Sequence, residues 1–268
     1  MPEEHPVVVT KNRFGPAAPG PHLLAMGPGG VRLLPHPNAY LSLAPPDRGQ
    51  APAQDPLRWG VDQLDRTPNW PPFGDCVTAV HGADAGPVSW MASRLGGQTC
   101  GEEAAATLLV NLSRAGREPD YPFLGPGSTV VPAGDAYLSG HALLAAVCEA
   151  LERAGTVRRV LIGDLRSLRT SRLGDSFRRA ITVVVRLLKD RRIPVVVFET
   201  GKPRTWAVTM GQGQTTFSSF AEIEPPVVDF ADVTIELVST DARHGFWVFA
   251  SDLRRGVGMK WNEPWPHA

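Results

Sequence analysis

The 268-residue sequence has no excess of either charge, with 27 Lys and Arg against 27 Asp and Glu. Nothing global therefore draws it to nucleic acid or to an anionic membrane, although a balanced total still permits a local basic patch. Cysteine is scarce. Cys76, Cys100 and Cys148 are the three present, and they show no CxxC spacing. An odd, small number excludes a disulfide scaffold and predicts reduced thiols, and no metal site is expected. No run approaches the roughly 18 apolar residues of a membrane span, and the first residues lack the apolar region of a signal peptide. The expectation is a cytoplasmic protein without a membrane partner. What is plentiful is Pro (26) and Gly (27), crowded before residue 130, and 43% hydrophobic residues, enough for a sizeable core.

The most regular stretch runs from His141 to Thr200. Leu143, Leu144, Val147, Cys148 and Leu151 recur at helical spacing, and Val160-Leu161-Ile162-Gly163-Asp164 follows as a strand. A second helix has Phe177, Ala180, Ile181, Val184, Leu187 and Leu188 on one face and Arg178, Arg179, Thr182, Arg186 and Lys189 on the other. Pro194 then admits Val195 to Thr200, a strand apolar enough to be buried on both faces. Two such strands joined by this helix predict a parallel βαβ unit with a right-handed crossover. Asp164, at the carboxyl end of the first strand, sits where open α/β sheets place their ligands.

At the start of the chain, Val7 to Thr10 is a strand candidate running into Lys11-Asn12-Arg13-Phe14-Gly15-Pro16. His22 to Met26 and Val31 to Leu34 read as a hairpin around Gly27-Pro28-Gly29-Gly30. The segment TKNRFGP, the hairpin and LPHPNAYLS together resemble the end of the RecA-like ATPase core of bacterial RadA. The resemblance covers about the first 43 residues. It implies that Lys11 and Arg13 reach toward nucleotide and DNA at a subunit interface. Residues 44–58 read as an exposed linker. Gly60-Val61-Asp62-Gln63-Leu64-Asp65 then resembles the Gly-x-x-x-Leu-Asp opening of RecA, RadA and KaiC-type domains, placing a RecA-like domain over residues 59–268.

A strand, a phosphate loop and a helix should follow, and two placements compete. In one, Cys76 to Val80 is the strand and Gly82 to Ser89 the loop. In the other, which is preferred here, Val88 to Leu95 is the strand, Gly96 to Glu103 the loop with G-x4-G spacing through Gly101, and Ala104 to Ala115 the helix. A working Walker A loop needs Lys and then Ser or Thr after its last Gly. Those positions hold Val88 and Ser89, or Glu102 and Glu103. A carboxylate about 4 Å from a phosphate charge costs about 4 kcal/mol at an effective dielectric near 20. Glu102 and Glu103 are therefore read as helix-capping residues on a lost phosphate site, and the residues argue against ATP and magnesium as cofactors.

Val160 to Leu165 resembles a Walker B strand, with Asp164 one place later than that pattern requires. Thr205 to Ser219 reads as a long loop or hairpin, and Lys202, Arg204 and Trp206 give a weak single-stranded nucleic-acid signal. Phe230 to Leu237 resembles the FADV-x-IEL strand of KaiC and RadA relatives, with Gly245 to Ala250 as its antiparallel partner. Asp252 to Gly256, containing Arg254 and Arg255, lies where a second KNRFG-type motif is expected. The resemblance implies an α/β, three-layer αβα RecA-like domain with a mostly parallel central sheet and a C-terminal antiparallel hairpin. It further implies a self-associating, non-catalytic relative of these ATPases that pairs with itself or a related RecA-like subunit and serves a regulatory or DNA-repair role. Its candidate contacts to a partner or to single-stranded DNA are Lys11, Arg13, Lys202, Arg204, Arg254 and Arg255. The alternatives are an ATPase with an atypical phosphate loop built on Gly96, Gly101, Glu102, Glu103 and Asp164, and a Cys-His hydrolase using His81 and Cys100 with Asp84 or Glu102.

Overall fold

The computed structural model describes residues 3–8, 21–27, 30–36, 39, 59–67, 76–96, 107–112, 129–132, 140–154, 157–163, 165, 174–201, 205–211, 214–220, 231–239, 245–254 and 256–264. The chain opens with β1 (Glu3–Val7), β2 (His22–Gly27) and β3 (Gly30–Leu34), which form a three-stranded antiparallel sheet. The expected hairpin is present. The first strand ends at Val7, where the sequence placed its start; Pro6 is accommodated because β1 is an edge strand.

After the short helix α1 (Asp62–Arg66) come β4 (Val77–Gly82), α2 (Ala85–Gly96), β5 (Thr107–Asn111) and β6 (Thr129–Pro132). Then follow α3 (Gly140–Arg153), β7 (Arg159–Gly163), α4 (Gly174–Asp190) and β8 (Val195–Thr200). Among the described residues, strands β9 (Thr205–Gly211) and β10 (Gln214–Phe220) pair with each other alone, as the hairpin that Thr205 to Ser219 allowed. The chain continues through β11 (Val233–Ser239), β12 (Phe246–Asp252) and β13 (Val257–Glu263).

The main sheet has the order β13-β12-β11-β4-β8-β7-β5-β6. Its six strands from β11 to β6 are parallel, and β12 and β13 add an antiparallel edge. The fold is therefore of the α/β class. Alternate residues of the central strands serve two cores, as the period of two requires. Val110, Val160, Ile162, Val195 and Val197 pack with α3 and α4 on one face. Val80, Leu109, Leu161, Val196, Phe198 and Ile235 pack with α2 on the other. The expected parallel unit β7-α4-β8 is present.

Two expectations fail together. Val88 to Leu95, preferred as a strand, lies inside α2. Val88, Met91, Ala92 and Leu95 are buried at helical spacing, and this period outweighs the G-x4-G pattern that follows. Ala104 to Ala115, expected as a helix, contains β5 instead. Leu108, Leu109 and Val110 are each no more than 1% exposed, because β5 lies between β7 and β6 with helices on both faces. Burial on both sides overrides the local helix propensity.

Helix α4 ends on an unusual residue. The Ile193 N–H donates to the Leu188 carbonyl and the Arg192 N–H to the Lys189 carbonyl, both at 2.9 Å. This is the paired capping pattern whose left-handed position is normally glycine. Arg192 occupies it at φ 55, a conformation that costs an L-residue about 1–2 kcal/mol.

Candidate functional site

The chain leaves the neighbouring strands β4 and β8 in opposite directions. From β4 it passes through α2 to β5 on one side, and from β8 it returns to β11 on the other. Open α/β sheets bind ligands in the crevice at the carboxyl ends of strands where the direction reverses. Here those ends carry His81 and Glu199, register partners in the β4-β8 ladder. His81 Nδ1 lies 3.3 Å from Glu199 Oε2, with the two side chains 13% and 17% exposed. On its other side His81 has Glu236 of β11 as register partner, so three polar residues from three central strands stand in one row. The Nε2 atom of His81 is buried and has no hydrogen-bond partner among the described residues.

Strand β4 reaches α2 through Ala83 and Asp84 alone. Gly82 makes that turn possible, since a Cβ there would lie 2.6 Å from Cγ2 of Val88. Several things that would let this helix start hold a phosphate are missing. A two-residue connection cannot wrap an anion, and no lysine follows it. Pro87 contributes no N–H to the first turn. Asp84 places a carboxylate beside the positive end of the helix, where it satisfies the dipole and repels a phosphate.

Ahead of the strand, Asp65 organises α1. Its carboxylate accepts hydrogen bonds from the Trp59 N–H at 2.7 Å and the Gly60 N–H at 3.0 Å. This fixes Trp59, Val61 and Leu64 in the core beside α2. The Gly-x-x-x-Leu-Asp residues thus act as a packing clamp.

Of the other residues singled out in the sequence, Gly96 ends α2, roughly 17 Å along the helix axis from its start. It is not part of a loop facing the strand ends. Gly101, Glu102, Glu103, Asp164, Cys100, Lys11, Arg13, Lys202, Arg204 and Arg255 lie outside the described residues. Cys148 is a packing residue on α3. Burial pushes its thiol up to about 11, Arg191 partly opposing this and Glu152 and Glu149 adding to it.

Arg254 is engaged within the molecule at the opposite end of the sheet. Its Nη2 lies 2.8 Å from Cys76 Sγ, and its Nε 3.9 Å from Asp232 Oδ1 and 3.8 Å from Asp252 Oδ1. Burial alone would lower its pKa, but Cys76, Asp232 and Asp252 hold it above the usual arginine value. Asp232 is the hub of this cluster. It accepts Lys189 Nζ at 2.9 and 3.0 Å and the Val77 N–H at 2.9 Å, and its own N–H donates to the Val77 carbonyl at 2.8 Å. One carboxylate therefore ties α4 to β4 and β11.

Glu199 and Glu236 escaped the sequence reading, and His81 entered it only as a partner for Cys100. For His81 and Glu199 the signal available was a polar residue at the next-to-last position of a largely apolar strand; Glu236, in the middle of β11, gave no such signal. Among the described residues no group of three or more His, Cys, Asp or Glu side chains is arranged to hold a metal ion, and no helix is long and apolar enough to cross a membrane. No protein-family model matches this chain, and no curated protein matches it.

Proposed function

We propose that the chain is a non-hydrolysing relative of RecA-like ATPases of the RadA and KaiC kind, acting as a self-associating regulatory or DNA-repair accessory protein. The observation that carries this reading is the strand-turn-helix from β4 to α2. It stands at the reversal point of a mostly parallel sheet with helices on both faces, yet it has two connecting residues, no lysine, Pro87 in the first helical turn and Asp84 before it. Such an arrangement keeps the scaffold of a nucleotide site and removes the groups that hold the nucleotide. The His81–Glu199 pair supports the same reading, because it sets an imidazole against a carboxylate at the strand ends where a ligand would otherwise bind. The sequence motifs TKNRFGP and FADV-x-IEL supply the link to RadA and KaiC.

On this reading the protein's partner is a second copy or a related RecA-like subunit, and assembly does not require ATP. Sedimentation velocity over a range of concentrations tests it. The expected result is reversible self-association that is unchanged by ATP and magnesium. A chain that stays monomeric throughout, or that assembles only with ATP, would contradict it.

A further inference from the structure

A strand at a sheet edge offers unpaired N–H and C=O groups, so proteins guard such edges with proline, charge or brevity. Among the described residues, three of the four edges of the two larger sheets are guarded in this way. In the N-terminal sheet β1 contains Pro6; in the main sheet β6 has four residues ending at Pro132, and β13 carries the exposed Lys260. The fourth edge is β3, Gly-Val-Arg-Leu-Leu, which pairs with β2 alone among the described residues. It is five residues long and lacks proline. Its one charge is turned away, since Arg32 forms its ion pair with Glu149 of α3.

The side chains of β3 divide by face. Arg32 and Leu34 share the inner one, where Arg32 reaches α3 and Leu34 is buried. Val31 and Leu33 alternate onto the outer face and are 64% and 53% exposed, and Met26, the register partner of Val31, is 43% exposed. Across this face the apolar character rises toward the free edge: the exposed His5 of β1, the half-buried Leu24 of β2 and Leu33 lie in one row. A polar outer strand with an apolar free edge is the pattern of half an interface, with a polar rim and an apolar centre at β3.

We propose that the β3 edge docks β3 of a second copy, giving one continuous six-stranded antiparallel sheet with its two-fold axis at Arg32. A two-fold axis normal to the sheet keeps each face on its own side, so residues of the same face come to stand opposite each other. Val31 then faces Leu33 of the second copy, and Leu33 faces Val31, which makes two apolar cross-strand pairs from one five-residue segment. The Arg32 side chains meet near the axis on the inner face, and each is matched by Glu149 of its own chain. The pairing buries less than the roughly 1,200 Å² of a stable interface, so the dimer is reversible. Being isologous, it closes at two copies and does not propagate. The proposal rests on the reading above only in taking a second copy as partner; the surface and the symmetry come from the sheet.

Sedimentation equilibrium of the full chain, from micromolar to submillimolar concentration, tests it. The expected result is a monomer–dimer equilibrium. Val31→Lys and Leu33→Lys should each weaken it about tenfold or more, because an edge lysine opposes strand pairing. Both positions are exposed, so the melting temperature should stay the same and separate a contact role from a folding defect. A mixture of Val31→Cys and Leu33→Cys chains, each also carrying Cys100→Ser, should form a disulfide-linked dimer on mild oxidation more readily than either chain alone. Self-association that neither lysine substitution alters overturns the proposal and leaves the reading above standing. Association that requires ATP but is lost in both lysine variants overturns that reading and keeps this one. A chain that is monomeric at every concentration removes both.

Discussion

His81 Nδ1 lies 3.3 Å from Glu199 Oε2, so the carboxyl ends of β4 and β8 are joined by side chains as well as by their ladder. Both groups are largely buried, and residues in such contact couple energetically. His81→Ala, Glu199→Ala and the double variant should therefore give a coupling of about 1 kcal/mol in urea unfolding. Additive effects would show that the pair contributes nothing beyond its separate packing.

The closeness of Gly82 to Val88 gives a test of the β4-α2 turn. A Cβ at position 82 would meet Val88 Cγ2 at 2.6 Å. Gly82→Ala should destabilise the fold by about 1–3 kcal/mol through overpacking. Adding Val88→Ala should recover part of that loss, because it removes the methyl that is struck. If the double variant is simply the sum of the two losses, the turn is not packed as described.

The N-terminal sheet is attached to α3 by a histidine contact that depends on pH. His22, 4% exposed, accepts the His36 N–H on Nδ1 at 2.9 Å, and the His36 ring meets His141 of α3 edge-on at 5.8 Å. Arg32 forms an ion pair with Glu149 further along α3. Burial, and then the neighbouring His22, hold the His36 pKa below 6.5. The unfolded chain consequently binds more protons than the folded one near pH 6, so stability is full above about pH 6.5 and falls as the pH drops below it. Protection of the β2 and β3 amides, taken relative to the intrinsic exchange rate at each pH, should fall between pH 7 and about pH 5.5. His36→Gln should flatten that dependence. Protection that does not vary with pH in the parent protein would remove the histidines from the attachment.

Asp232 should be among the costliest positions to alter. With Lys189 Nζ and the Val77 N–H on its carboxylate, Asp232→Ala leaves a cation and a buried donor without their acceptor. The expected loss is about 3–5 kcal/mol. Lys189→Met, whose partner keeps its backbone donor and Arg254 nearby, should cost less. Equal costs would mean that the carboxylate's bonds to β4 carry little of the stability.

Much of the architecture was legible because it rests on uninterrupted periodicity. The α3-β7-α4-β8 run, the β2-β3 hairpin and the β11-β12 pair all follow from apolar spacing over segments long enough to show it. Near the candidate site the pattern is weaker, and the G-x4-G spacing of Gly96 and Gly101 does not mark a strand-loop-helix there. Val88, Met91, Ala92 and Leu95 already spelled a helix. Leu108 to Val110 form so short an apolar run that helix and strand differ only in what surrounds them, and the sheet supplied that context. Glu199 could not be paired with His81 from sequence, since 118 residues separate them and only the parallel register of β4 and β8 brings them together. Asp232 was likewise invisible as a hub, because its partners come from α4, β4 and the turn after β12.

The proposed function holds that a nucleotide scaffold persists without its phosphate-binding groups. Isothermal titration of the full chain with ATP and magnesium distinguishes it from a working ATPase. The expected result is no saturable heat up to millimolar nucleotide and no release of phosphate. Micromolar binding accompanied by turnover would contradict it.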